Sequence, residues 1–272
     1  NPVDGMRSIV GADEIAQLEW GAARASAAVW RIVNGIKAGY SEFEAAARMG
    51  YAGEPMTCHM MLSSNDGSRP IIGLSSPSAR VIGEGDGVTT AVGYWGGLSC
   101  RAGLLTDSND AFLGKAKGYF EALCAWYDIV DIGVAGGKIH EKVEAVLAPY
   151  GMKPALNPGH LVSIDEWSNS PVRPGSEDRI ASGMPFQVDI IPVPMRDGEA
   201  LNCEDSVVIA DAELRAELER RHPAVHARIE ARRAFMRDQL GVELKPSILP
   251  LSSAPLCLPP FWMNPRQLLT RG

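Results

Sequence analysis

The sequence predicts an α+β fold, and three observations carry that prediction. Elements run as helices, strands, helices, strands and helices, without a regular βαβ repeat. Apolar residues recur at steps of three and four in the helical stretches and alternate in the strand stretches. Helix, hairpin and helix recur roughly twice along the 272 residues, as an internal duplication would leave them.

The elements follow in order. Ile15, Leu18, Ala22, Ala25, Val29, Ile32 and Ile36 line one face of a helix over 13–38, with Asp13 to cap its start and Gly39 its end. Ser41 and Glu44 form a capping box for a second helix ending near Gly50. The stretch "SSNDGSRPIIGLSSPS" is rich in Ser, Gly, Pro and Asn and reads as loops between short strands. "GDGVTTAVGYW" (85–95) reads as a turn and then a strand. A helix over 109–130 turns Phe112, Ala116, Tyr119, Leu123 and Trp126 to one side, and another over about 138–148 carries Ile139, Val143, Val146 and Leu147. In the strand "FQVDIIPVP" (186–194), Gln187 and Asp189 alternate with Phe186, Val188 and Ile190. In "CEDSVVIA" (203–210), Glu204 and Ser206 share one face, and Asp205, Val207 and Ile209 the other. A charged helix over 212–239 breaks at His222-Pro223. A Pro-rich extension over 241–272 closes the chain and is expected to pack on the same single domain.

Composition narrows the function. Apolar residues make up 46% and charged residues 22%, enough for a sizeable core. A net charge of −7 disfavours nucleic acid or an anionic membrane as partner. No apolar run approaches the ~18 residues of a spanning helix. The five cysteines are odd in number, irregularly spaced and form no CxxC pair, as in a cytoplasmic protein with reduced thiols. "GVAGGK" (133–138) lacks P-loop spacing and a Ser or Thr after the Lys, so it reads as the start of a helix. Cys100 beside Arg101 has two readings, a buried thiol or a nucleophile of lowered pKa. His59, His140, His222 and His226 fall in loops or charged helices and read as surface residues.

Four stretches together resemble the pita-bread family of aminopeptidases, prolidases and creatinases. They are "EGDGV" leading into "VGYWGGLSCR" (84–101), "NPGH" (157–160), "SGMPFQVDIIP" (182–192) and "NCEDSVVIAD" (202–211). They stand in the family's order. The resemblance implies a pseudo-twofold antiparallel sheet flanked by helices. It also implies a homodimer and a small-molecule substrate. The N-terminal domain that many members carry has no counterpart in residues 1–272.

The family's metallopeptidases hold two metal ions with two Asp, one His and two Glu. By resemblance, His160 stands at the family His, Asp189 at the first Glu and Glu204 at the second. The two Asp positions fall near Ala91 and on Gly97 or a neighbour, and neither Ala nor Gly can ligate a metal. The second histidine of the aminopeptidases appears as Asp165, ahead of Glu166 and Trp167.

That pattern is closest to creatinase, which cleaves a C–N bond without metal. It implies a hydrolase with no cofactor, acting on a small substrate with a cationic group. His160 is then the general acid and base, and Asp189 and Glu204 bind the cation or orient His160. Asp165, Glu166, Trp167, Tyr94 and Gln187 are expected at the substrate. Two alternatives remain. One is a prolidase-like or Xaa-Pro aminopeptidase-like peptidase with one divalent metal at His160, Asp189 and Glu204. The other is a non-catalytic binding protein on the same fold.

Overall fold

The computed structural model describes residue 5 and residues 7–68 and 73–272. Residues 69–72, within the stretch read as loops, lie outside the described residues. The fold is α+β, as the element order predicts.

Helix α1 spans Ala12–Gly35 and buries Ile15, Leu18, Ala22, Ala25, Val29 and Ile32, the predicted stripe. The expected cap is different. The Gly11 N–H donates to the Glu14 carboxylate over 2.9 Å, while Asp13 pairs with Arg221 and His222. Helix α2 spans Glu42–Ala47, and its Ser41–Glu44 capping box forms as predicted. Helix α3 (Asp110–Ile129) is capped by Asn109, whose side chain accepts from the Phe112 N–H. Helix α4 (Gly136–Leu147) begins two residues early, because the Asp178 and Ser176 carbonyls accept its first N–H groups. Helices α5 (Ala212–Arg221) and α6 (Pro223–Leu240) break where predicted, since Pro223 has no N–H to continue α5.

The strands are β1 (Met61–Asn65), β2 (Gly87–Tyr94), β3 (Gly97–Leu104), β4 (Lys153–Pro154), β5 (His160–Leu161), β6 (Met184–Val188), β7 (Pro192–Val193), β8 (Asn202–Ile209) and β9 (Ile248–Pro250). The main sheet is antiparallel throughout, in the order β1-β2-β3-β8-β6-β5, with β9 paired to β8. Strands β4 and β7 pair separately. The strand expected over 186–194 is therefore two. Pro192 and Pro194 cannot donate to a ladder, and β6 stops at Val188, one residue before Asp189.

Helix α1 packs on β2 and β3, and its Ala25, Val29 and Ile32 share one core with Leu62 of β1 and Val88 and Val92 of β2. Helices α3 and α4 form the larger core with Phe186, Val188, Val207 and Ile209. Leu256, Leu258 and Phe261 of the C-terminal extension join that core, and Trp262 joins the α1 core. The Trp262 backbone N–H also donates to the Leu104 carbonyl over 2.8 Å.

The approach of α1 to the β2–β3 hairpin requires glycine. A Cβ on Gly97 would sit 2.1 Å from the backbone nitrogen of Ala22. Gly97→Ala is expected to cost at least about 1–3 kcal/mol, because backbone must shift. Gly114, exposed in α3 with nothing near its Cβ position, gives the control. Gly114→Ala is expected to add about 0.5–1 kcal/mol. Urea denaturation of the two variants checks both signs.

Candidate active site

His160 opens β5 and pairs in register with Gln187 of β6. Gly159 precedes it with φ +113°, a conformation glycine adopts freely. Its backbone lies close under Trp126, whose indole N–H donates to the Pro158 carbonyl over 2.7 Å. Helix α3 thereby fixes where His160 enters the sheet. The residue is 2% exposed.

Glu204 lies on β8 opposite Cys100 of β3, which is opposite Ala91 of β2. Strand alternation puts these three on one face. On the other face Asp205 pairs with the buried Arg101. Glu166 arrives on the loop after β5. That loop is tied back by the Ser168 N–H and Oγ, both donating to the Leu161 carbonyl over 3.0 Å.

These groups line one cavity of about 410 Å³. His160, Glu166, Trp167, Asp189 and Glu204 all face it, and Met61, Ala91, Leu98 and Cys100 form an apolar wall. His160 Nε2 lies 3.6 Å from Glu166 Oε1 and 3.7 Å from Glu204 Oε1. One ligand atom from each of the three lies within 4.8 Å of the others. Among the described residues, Asp189 Oδ1 and Glu204 Oε1 are buried without a hydrogen-bond partner.

Burial pushes the Glu204 carboxyl well above the usual carboxylate range, and the charges of Glu166 and Asp205 push it further. Asp189 is raised in the same way, by burial first and then by Glu204. The sign for stability follows. A carboxyl whose folded pKa lies above its unfolded value of about 4.3 favours the native state below that pH. That contribution is lost as pH rises through the folded pKa. In chelator-treated protein at pH 8, Glu204→Gln is expected to raise the unfolding free energy by about 1–3 kcal/mol. The gain shrinks towards pH 4, as paired urea titrations will read.

Other expected site residues stand elsewhere. Tyr94 does not line the cavity. It is buried in the α1 core with its ring stacked on Tyr51, 6.5 Å between centroids. Gln187 does not line it either. Its side chain donates to the Leu98 carbonyl and accepts from Ser206 Oγ, each over 2.7 Å, and so ties strands together. Asp165 is exposed and pairs with Arg7 over 2.5 Å. Trp167 lines the cavity, 52% exposed, its ring 6.2 Å from that of His160. Asn202 was not foreseen. It lines the cavity two residues before Glu204, and a hydrogen bond with it lowers the Asp189 pKa. Strand alternation from Glu204 could have found it.

The residues do not fit a pair of metal ions. Ala91 lines the cavity without a donor atom. Gly97 lies at the hairpin against α1, and Cys100 is the residue opposite Ala91. Burial holds the Cys100 thiol well above its usual pKa, with Glu204 and Asp189 adding to the effect. This also removes the reading of Cys100 as an activated nucleophile, since Arg101 points its charge at Asp205 on the far face. A single ion fits. The donors that gather are His160, Glu166 and Glu204, with Glu166 in the place expected for Asp189.

Solved structures share this architecture. A prolidase from Pyrococcus horikoshii matches at TM-score 0.66 and 20% identity, over 75% of this chain and 61% of that one. A Xaa-Pro dipeptidase from Bacillus anthracis matches at 0.67 and 20% identity, over 78% and 61%. A prolidase from Pyrococcus furiosus matches at 0.68 and 19% identity, over 76% and 64%. The chain has the pita-bread fold. It spans about three-fifths of the length of these structures. No family model matches the chain, and no curated protein matches it in sequence. Among the described residues, no helix is long and apolar enough to cross a membrane.

Proposed function

We propose that this pita-bread chain is a hydrolase that cleaves a C–N bond of a small substrate. One observation carries the reading: an imidazole and three carboxylates, His160, Glu166, Asp189 and Glu204, line a single cavity. At about 410 Å³ that cavity has the size of a small-molecule site. The solved prolidases and Xaa-Pro dipeptidase that share the fold support the choice of bond.

The carboxylates need a positive partner to remain ionised in a buried site. In the creatinase-like form, an ammonium, amidinium or guanidinium of the substrate is that partner. His160 then takes a proton from water at Nε2 and returns it to the leaving nitrogen, as an imidazole can near neutral pH. Trp167 covers the ligand from the cavity's exposed side. In the prolidase-like form the partner is one metal ion, and the spacing of the acceptors favours this form.

The test is a turnover screen of amidines, ureas, N-methyl amino acids and Xaa-Pro dipeptides, with and without chelator. Hydrolysis of one class, lost in His160→Ala, supports the reading. No hydrolysis, with no compound raising the melting temperature, makes this a non-catalytic protein. The resemblance extends the proposal to a homodimer, which sedimentation velocity checks on the same sample.

A further inference from the structure

We infer that Arg196 anchors an acidic group of the ligand, so that the cavity selects a molecule with an aliphatic body and an oxyanion at the end opposite its cationic head. This rests on the hydrolase reading for its purpose, but its test reads binding rather than turnover.

The chain lays out the path. Asp189, Ile191, Val193 and Met195 all line the cavity. They are alternate residues, β7 lies within the segment, and strand geometry turns alternate residues to one side. Along the chain the wall therefore starts at the acidic end with Asp189, passes three apolar side chains and reaches Arg196. Leu156 and Leu201 add to the apolar lining. An apolar wall with a few placed polar groups orients a ligand as well as holding it.

Among the described residues, Arg196 is the one lysine or arginine that lines this cavity. Four carboxylates line it too, yet the exposed Arg196 side chain forms no ion pair or hydrogen bond among the described residues. Glu199, the nearest of the four along the chain, is taken by Lys115 over 2.6 Å. The backbone beneath the side chain is fixed. The Glu199 N–H donates to the Arg196 carbonyl over 2.9 Å, which closes a turn. That turn presses on the end of β1, where a Cβ on Gly198 would sit 2.7 Å from the Gly67 nitrogen. Gly67 is held in turn, its N–H donating to Asn65 Oδ1 over 2.9 Å.

Arg196 is thus a cation held in place at its backbone and uncommitted at its head. A guanidinium keeps its proton and presents its donors in a planar fork. The fork matches the paired oxygens of a carboxylate, or those of a phosphonate. Arg196 also lines a neighbouring polar groove, so the anchored group sits where the cavity opens to water.

The test uses the whole chain, treated with chelator so that the acidic end is free for an ammonium. It is titrated with ω-amino acids of increasing length, from β-alanine to aminooctanoate, and with the matching ω-amino amides, while ligand-observed NMR reads Kd. At one length the acid is expected to bind ~10-fold more tightly than its amide, as a charge-assisted pair at a solvent-open site allows. ω-Aminoalkylphosphonates of that length tell which oxyanion the fork prefers, and a preference for either one over the amide meets the inference. Arg196→Gln should bring acid and amide within ~2-fold of each other, because the neutral side chain has lost the charge and the fork. The amide's Kd and the melting temperature should not change, since the side chain holds nothing in the protein. Arg196→Lys should keep part of the preference, which should shrink as salt is raised. Acid and amide bound alike by the wild type, no acid bound at any length, or a preference that survives Arg196→Gln would each overturn the inference. Equal kcat/KM on acid-ended and amide-ended substrates also overturns it and leaves the hydrolase standing. An acid preference lost in Arg196→Gln, in a chain that turns over nothing, keeps the anchor and removes the hydrolase.

Discussion

Asp205→Ala is expected to lower the unfolding free energy by about 3–5 kcal/mol, the cost of stranding a buried charge. Arg101 is 1% exposed, and its Nη2 donates to both Asp205 oxygens over 3.1 and 2.8 Å. The remaining donors go to backbone carbonyls, with Ser99 Oγ also accepting from Nη1. Nε donates to the Cys257 carbonyl, Nη1 to those of Cys100 and Glu204, and Nη2 also to that of Ala254. Asp205 Oδ2 also accepts the Leu256 N–H over 2.8 Å. The pair therefore clamps β3 and β8 to the C-terminal extension directly behind Glu204. Removing the carboxylate leaves a guanidinium that cannot lose its proton and cannot reach water. Arg101→Met combined with Asp205→Leu should recover much of the loss, since no unpaired charge then remains. Urea denaturation of both single variants and the pair measures it.

His160→Ala is expected to lower kcat/KM ~100- to 10,000-fold on whichever substrate the screen identifies. The imidazole lies among the acidic groups, and in the proposed hydrolase it is either the proton carrier or the nitrogen ligand. In both roles its loss removes the reacting centre. The fold should tolerate the change, because the ring's hydrogen bond within the protein is the 3.3 Å contact to its own neighbour Leu161. Tyr94→Phe provides the contrast. Tyr94 lies in the α1 core, so turnover should stay unchanged. Steady-state kinetics beside melting curves separate the two variants.

Helices were legible in the sequence because their signals are local. The stripe from Ile15 to Ile32, the Ser41–Glu44 box and the His222-Pro223 break each lie within a few turns of chain. The sheet was less so. β2, β3, β6 and β8 are buried on both faces, so alternation could not say which face Gln187 or Tyr94 would join. The hairpin register was hidden as well. It puts Cys100 opposite Ala91, and only the turn at Trp95-Gly96 fixes that pairing. His160 and Glu204 could be picked out by the stretches around them. Glu166 was expected at the substrate but not within 4.8 Å of both, because a loop tied back on Leu161 brings it there. Asp189 lay in a predicted strand but stands one residue past the end of β6.

The most direct measurement is anomalous diffraction at the zinc edge from crystals grown with one equivalent of zinc. The account predicts one peak per chain, bonded by His160 Nε2 and by one oxygen each of Glu166 and Glu204. Two peaks in the cavity, or a cavity without any while zinc binds elsewhere on the chain, would contradict it.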